Sequence, residues 1–320
     1  MAVFNIHHIT HYEYDRPVKE SVNQIRIFPV EDSNQQVTAF ELAITGKPKV
    51  DIFTDYFGNK VGDFTVLVPH TSLSIDSRLT ISIADANPSL QYPEVSFQQL
   101  SQLVQHDVQL LGLAHPERIE HQQQIDQIIA DLNATQLSIH EAAMACNTYV
   151  FQQFQYQKGI TTIQTTVDEI LSHRSGVCQD FAHVLLQMLR TLGVPARYVS
   201  GYICPNKSGL RGEGATHAWI EYYLPQMGWV GLDPTNNIIV QGRHVKLGTG
   251  YSFTDCSPVK GTFKGIAKQT LSIFVSVGYE DGHRFEDRNN VQMQLQTAEG
   301  TEAWQAEYLA ALQQQQQQQQ

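Results

Sequence analysis

Three side chains in this sequence have the types that covalent acyl transfer needs, in an order a fold can bring together: Cys178, His217 and Asp233. Cysteine attacks a carbonyl carbon as the thiolate, and a thiolate forms more readily at a helix N-terminus, where backbone N–H groups carry partial positive charge. Cys178 meets that condition. It follows Gly176-Val177 and opens the run CQDFAHVLLQMLRTLG, in which Phe181, Val184, Leu185, Met188, Leu189 and Leu192 recur at helical spacing before Gly193 and Pro195 supply a stop. Gly176 is expected to let the chain turn tightly into this helix. The Cys178 amide, at the helix start, is expected to hold a developing oxyanion, with the Tyr156 phenol as a second candidate donor.

A thiol nucleophile also needs a base, and a group that orients the base. With 13 histidines in the chain, position alone selects none. His217 is selected by its surroundings: it opens the strand-like run HAWIEYYL, which reaches the turn Pro225-Gln226-Met227-Gly228 and returns as GWVGLDPT. In an antiparallel hairpin, residues equidistant from the turn face each other. The midpoint of 217 and 233 is 225, so counting predicts His217 and Asp233 as cross-strand neighbours, within a register error of about two residues. Singly, each residue has a plainer reading: a packed thiol, a strand histidine, a turn aspartate before proline. Jointly they read as nucleophile, base and orienter.

The remaining candidates read as structure. Asp180 and His183, three apart on the Cys178 helix, are expected to make structural hydrogen bonds, and His7, His8 and His11 to lie on a partly solvated strand with His8 facing the other way. Cys146, Cys204 and Cys256 form no C-x-x-C pair with each other or with Cys178, so free thiols are expected rather than a zinc site or a disulfide scaffold. KSGLRGEG has glycines without the spacing of a phosphate loop. No cofactor and no metal is expected.

The elements that must position these residues follow from pattern. The 320 residues are 42% hydrophobic, enough for a substantial core. The balance of 21 Lys+Arg against 32 Asp+Glu gives a net charge of -11, which argues against nucleic acid and anionic membranes as partners. No apolar run approaches the roughly 18 residues of a membrane-spanning helix, and the first residues lack a signal-peptide pattern, so a soluble cytoplasmic protein is expected. Short alternating runs such as FNIHHITHYEYD and SLSIDSRLTISI predict an N-terminal β-sandwich over residues 1–92. Helical spacing in FQQLSQLVQHDVQLLGL and IHEAAMACNTYVFQQF then leads into a catalytic core over 93–295, with LSIFVSVGY and NNVQMQLQ as further strands. A tail over 296–320, ending in glutamines, has no apolar face to pack.

The segments GVCQDFAHVLLQMLRTLGVPARYVSGY, THAWIEYYLPQMGWVGLDPTNN and VKLGTGYSFTDCSPVKGTFKG, in this order, closely resemble the bacterial transglutaminase-like superfamily, and HYEYDRPVKESVNQIRIFPV with DYFGNKV resembles the β-rich N-terminal region found in that family. The resemblance covers about residues 3 to 270. It implies an α+β fold with a papain-like core, in which a cysteine at a helix N-terminus faces histidine and aspartate on adjacent strands, and it places Cys178, His217 and Asp233 at those positions. The activity then expected is hydrolysis of a peptide or amide bond in a peptide or protein substrate. Transfer to an amine, as in a transglutaminase, is the alternative; it is less favoured because neither an amine-specific site nor an acidic calcium loop is visible. A catalytically silent binding module is a third reading, and the intact residue set argues against it.

Overall fold

The N-terminal strands are β1 (Ala2–Val18), β2 (Ser21–Ile25), β3 (Gln35–Ile44), β4 (Asp51–Thr54), β5 (Lys60–Val66) and β6 (His70–Ile83) in the structure, a computed structural model. It describes residues 1–279 and 284–287, apart from 86, 88, 163–164, 205–209 and 212–215. The glutamine tract, NNVQMQLQ and all of KSGLRGEG except Leu210 and Arg211 lie outside the described residues. In β1 the even positions Phe4, Ile6, His8, Thr10, Tyr12 and Tyr14 are buried while their neighbours are partly or fully exposed, the period of two that a sheet with one covered face requires. His8 thus points inward, where its Nδ1 meets the Tyr202 hydroxyl at 2.8 Å, whereas His7 pairs with Asp76 at the part-exposed face.

The middle of the chain supplies the helices α1 (Phe97–Val104), α2 (Val108–Leu113), α3 (Gln122–Asp131) and α4 (Ile139–Gln153). Short β7 (Gln155–Tyr156), α5 (Val167–His173) and β8 (Ser175–Gly176) then lead into α6 (Cys178–Thr191). Ser138 and Glu141 start α4 with reciprocal side-chain to backbone bonds, a capping box. Helix α6 is buried on nearly every side, as a helix at the centre of a core must be. It ends at Gly193, whose φ of +76° reverses the chain, with Val194 N–H donating to the Leu189 carbonyl.

Strands β9 (Ala196–Ile203), β10 (Thr216–Leu224), β11 (Gly228–Asp233), β12 (Ile238–Ile239) and β13 (His244–Gly250) form a sheet in the order β12-β11-β10-β9-β13, against which α6 packs. After the short α7 (Phe253–Cys256), the chain returns to its beginning: β14 (Val259–Phe263) pairs with β2, and β15 (Gln269–Tyr279) lies between β1 and β16 (Arg284–Asp287). The two N-terminal sheets, β16-β15-β1-β6-β3 and β14-β2-β5-β4, share a core in which Tyr14 meets Phe263 edge to face at 5.1 Å. All three large sheets are antiparallel, and the fold is α+β.

The β region grips the core sheet through β13. Asn59 is held in the turn after β4 by Asp55, and its amide binds both the carbonyl (2.7 Å) and the N–H (2.8 Å) of Thr249. Gln35 does the same for Lys246, at 2.8 and 2.7 Å. Two buried amides thus satisfy edge groups that would otherwise lose their water partners.

Because β15 sets Leu271, Ile273 and Val275 opposite Tyr12, Thr10 and His8, late residues complete the first sheet. Leu271→Ala should therefore lower the unfolding free energy in urea by about 2–5 kcal/mol, while Ser272→Ala on the opposite face should change it by less than about 0.5 kcal/mol. Equal effects would mean that β15 is not packed as described.

Candidate active site

Cys178 is the first residue of α6, and the chain enters the helix under a particular constraint. Asp180, in the first turn, folds back so that its Oδ2 accepts the Val177 N–H at 2.7 Å and the Thr161 hydroxyl at 2.6 Å. The carboxyl passes so close to residue 176 that a Cβ there would meet Asp180 Oδ2 at 2.5 Å. Gly176 is needed for space, therefore, and not for the turning freedom that the sequence predicts. Burial pushes the Asp180 carboxyl up to about 6, against the opposing pull of its two hydrogen bonds. Asp180 makes the structural bonds expected of it. His183 belongs to a different environment, against Tyr198 with Arg190 nearby, and burial pushes it down to about 4.

His217 and Asp233 come together by a route that differs from the simple count. The hairpin pairs Leu224 with Gly228 and Ile220 with Leu232, so it is centred on residue 226 instead of 225. The reason is the turn: Gln226 and Gly228 both take positive φ, +72° and +83°, which makes a three-residue connection. Continued along the strands, this register sets Asp233 against Trp219 and one diagonal step from His217. The side chains bridge that diagonal, and His217 Nε2 donates to Asp233 Oδ2 at 2.8 Å, with both side chains at 0% exposure.

The carboxylate is held from several sides. Its Oδ1 accepts the Thr235 N–H at 2.9 Å, while Oδ2 also accepts from Asn236 Nδ2 at 2.8 Å and His244 Nε2 at 3.1 Å. Asn237 anchors this turn to α4 by accepting from Asn147 and Thr148. Burial by itself would raise the Asp233 carboxyl, but the charge and hydrogen bond of His217, followed by the hydrogen bond of His244, hold it far below the usual carboxylate range. Burial likewise pushes the His217 imidazole down, and the Asp233 charge and hydrogen bond reverse this, with Cys178 adding to the rise. The net direction for His217 is well above an ordinary histidine.

With Nε2 committed to Asp233, the nitrogen left for the Cys178 sulfur is Nδ1, which is buried and has no other partner among the described residues. Cys178 itself is 2% exposed. Tyr156 is brought close by the β7–β8 pair, where it stands opposite Gly176; its ring lies edge-on to Phe181 at 5.9 Å, and the Arg211 guanidinium lies 5.7 Å from it. A second phenol, Tyr198, is buried within reach of the Cys178 charge.

Sequence pattern does not single out His244, Asn236 or Tyr198. Asn236 carried a local signal, since an asparagine three residues after an aspartate in a DPTN turn can reach back to the carboxylate. His244 carried none, because its contact with Asp233 depends on β13 crossing the sheet beyond β9. The ligand atoms of His217, Asp233 and His244 lie within 4.8 Å of one another, so these three could hold a divalent cation. Four N–H donors on Asp233 already account for the cluster as a hydrogen-bonded unit. All four cysteines are free thiols.

Two family descriptions match the chain: "Transglutaminase-like superfamily" over residues 126–234 and "Bacterial transglutaminase-like N-terminal region" over residues 4–82. An uncharacterised protein of Mycobacterium tuberculosis is 30% identical over 275 residues, 81% of this chain and 86% of its own length. A protein-glutamine gamma-glutamyltransferase of Pseudomonas aeruginosa is 32% identical over 111 residues, 31% of this chain and 17% of its own. A crystal structure of a candidate cysteine protease from Cytophaga hutchinsonii has the same fold, with a TM-score of 0.69 at 20% identity, covering 91% of this chain and 96% of that one. Among the described residues no helix is long and apolar enough to cross a membrane.

Burial pushes the Cys146 thiol up to about 12, and those of Cys204 and Cys256 well above the ordinary value. Iodoacetamide near neutral pH should therefore modify Cys178 at least about 10-fold faster than the other three, read by peptide mass spectrometry. Equal rates at all four would mean that Cys178 is an ordinary packed thiol.

Proposed function

This chain belongs to the transglutaminase-like superfamily, and on that premise we propose that it is a thiol-dependent enzyme that hydrolyses peptide or amide bonds through Cys178, His217 and Asp233. The observation that carries the proposal is the 2.8 Å hydrogen bond from a buried His217 to a buried Asp233, beside a cysteine at a helix N-terminus. The carboxylate fixes one imidazole nitrogen, stabilises the ring when protonated, and leaves the other nitrogen to take the thiol proton.

The chemistry runs in two halves. The Cys178 thiol gives its proton to His217, and the sulfur attacks the amide carbonyl carbon, so that an S–C bond forms and the carbonyl electron pair moves onto oxygen. The backbone N–H of Cys178, at the start of α6, stabilises that oxyanion in this proposal, with Tyr156 as the side-chain candidate. Collapse breaks the C–N bond, His217 protonates the departing amine, and a thioester remains. Water then gives a proton to His217 while its oxygen attacks the thioester, releasing the acid and regenerating the thiol. Free thiols at all four cysteines fit a cytoplasmic enzyme acting on peptides or proteins there.

A second reading has its own support: a stretch of 111 residues is 32% identical to the Pseudomonas glutamyltransferase, and an amine in place of water would make the second half a transfer. The two readings part on one experiment. Glutamine-containing and unrelated peptides are incubated with the protein, with and without a primary amine, and followed by mass spectrometry, with Cys178→Ala as control. Cleavage or deamidation without amine, lost in the variant, is expected. Amine-dependent mass gain with no cleavage or deamidation would overturn hydrolysis in favour of transfer.

A further inference from the structure

His244 stands at the start of β13, and its side chain is 1% exposed. Its ring packs edge-on against the Trp219 indole at 5.1 Å and lies 5.8 Å from the His217 ring. Asp233 Oδ2 therefore lies between two imidazoles, with His217 Nε2 at 2.8 Å and His244 Nε2 at 3.1 Å, and Asn236 completes the set. A carboxylate only accepts, so both Nε2 atoms carry protons.

The two rings are not equivalent. Burial pushes His244 down and the charge of His217 pushes the same way; the hydrogen bond and charge of Asp233 oppose both without overcoming them. One buried anion thus supports one imidazolium, at His217, and His244 serves as a neutral donor. Other charges near His244 are committed elsewhere. A cavity of about 260 Å³ shares His244 with Glu221, Lys246, Asp32 and Asp85 in its lining. Glu221 pairs with Arg197 and Lys246, Lys246 also pairs with Asp32, and Asp85 pairs with the N-terminal amine. Arg243 precedes His244 in the chain.

We infer that His244 is a positioning residue, which gives Asp233 a second imidazole donor and so keeps the His217 ring aimed at Cys178. A carboxylate bonded to one imidazole can swing about its own side-chain torsions. Donors converging on Oδ2 from β10, from β13 and from the turn after β11 remove that freedom, because no rotation keeps all three bonds. Trp219 fills the space beside both rings and prevents His244 from turning away. The inference rests on the reading of Cys178 as the nucleophile.

The test uses the full chain and two readouts. The first is nitrogen-15 NMR of the histidine side chains across neutral pH, with the His244 signal assigned by its loss in His244→Gln. A neutral, Nε2-protonated His244 is expected. A His244 whose only ring proton is on Nδ1 overturns the inference even if His244→Phe does not fold. The second is the pH profile of Cys178 alkylation in wild type, His244→Phe and His244→Gln. The phenylalanine variant should react about 10-fold more slowly near neutral pH, with its profile moved to higher pH, while glutamine, whose amide can donate to Asp233, should restore most of both. A folded His244→Phe protein with an unshifted profile, or no rescue by glutamine, overturns the inference. Slow alkylation of Cys178 in the wild type would instead sink the nucleophile reading, and the NMR result would still decide whether His244 donates to Asp233.

Discussion

A negative charge buried at the end of β11 is the constraint around which the rest of this site is arranged. An isolated carboxylate in such a place would cost several kcal/mol or would take up a proton. Asp233 does neither, because Thr235, Asn236, His217 and His244 surround it with N–H donors. The four donors come from three parts of the fold. The hairpin β10–β11 brings His217, the DPTN turn brings the backbone N–H and Asn236, and β13 brings His244. Losing the packing of any of these would leave a buried charge short of partners.

A second buried carboxylate, Asp180, does a different job 1% exposed at the mouth of α6. Among the described residues its partners are a hydroxyl and one backbone N–H, with no cation, and burial therefore wins and raises its carboxyl. Asp180 ties the chain before α6 to the helix itself and requires glycine at 176. The outcome is that Cys178 is held at a defined point on a helix buried on nearly every side. Two acids of the same chemistry diverge because one has a charged partner and the other does not. The N-terminal sheets contribute at one remove: Asn59 and Gln35 fasten β13, and β13 carries His244.

Much of the site could be read from the sequence because its parts lie in local patterns. The α6 start, its stop at Gly193 and the strand-turn-strand around Met227 are short-range signals, and the approach of His217 to Asp233 follows from them. The count placed the hairpin centre one residue early, since positive φ at Gln226 is not announced by its residue type. The approach survived because a two-residue slip keeps both side chains on the same face of the sheet. His244 was illegible for a different reason: its contact is made only when a fifth strand returns to the sheet. The return of β15 to β1 was equally hidden, because LSIFVSVGY reads as a strand but names no partner. The sequence suggests turning freedom at Gly176 and not its real constraint, because the crowding at Asp180 Oδ2 is a fact of three-dimensional packing.

In the proposed mechanism the Asp233–His217 pair converts Cys178 into a thiolate. Ultraviolet thiolate absorbance, titrated across pH in the wild type, Cys178→Ala and Asp233→Asn proteins, measures it directly. The expected result is a thiolate signal near neutral pH that is absent without Cys178 and is lost or moved to higher pH in the asparagine variant. A wild-type signal that arises only at the pH of an ordinary thiol, unchanged by Asp233→Asn, would contradict it.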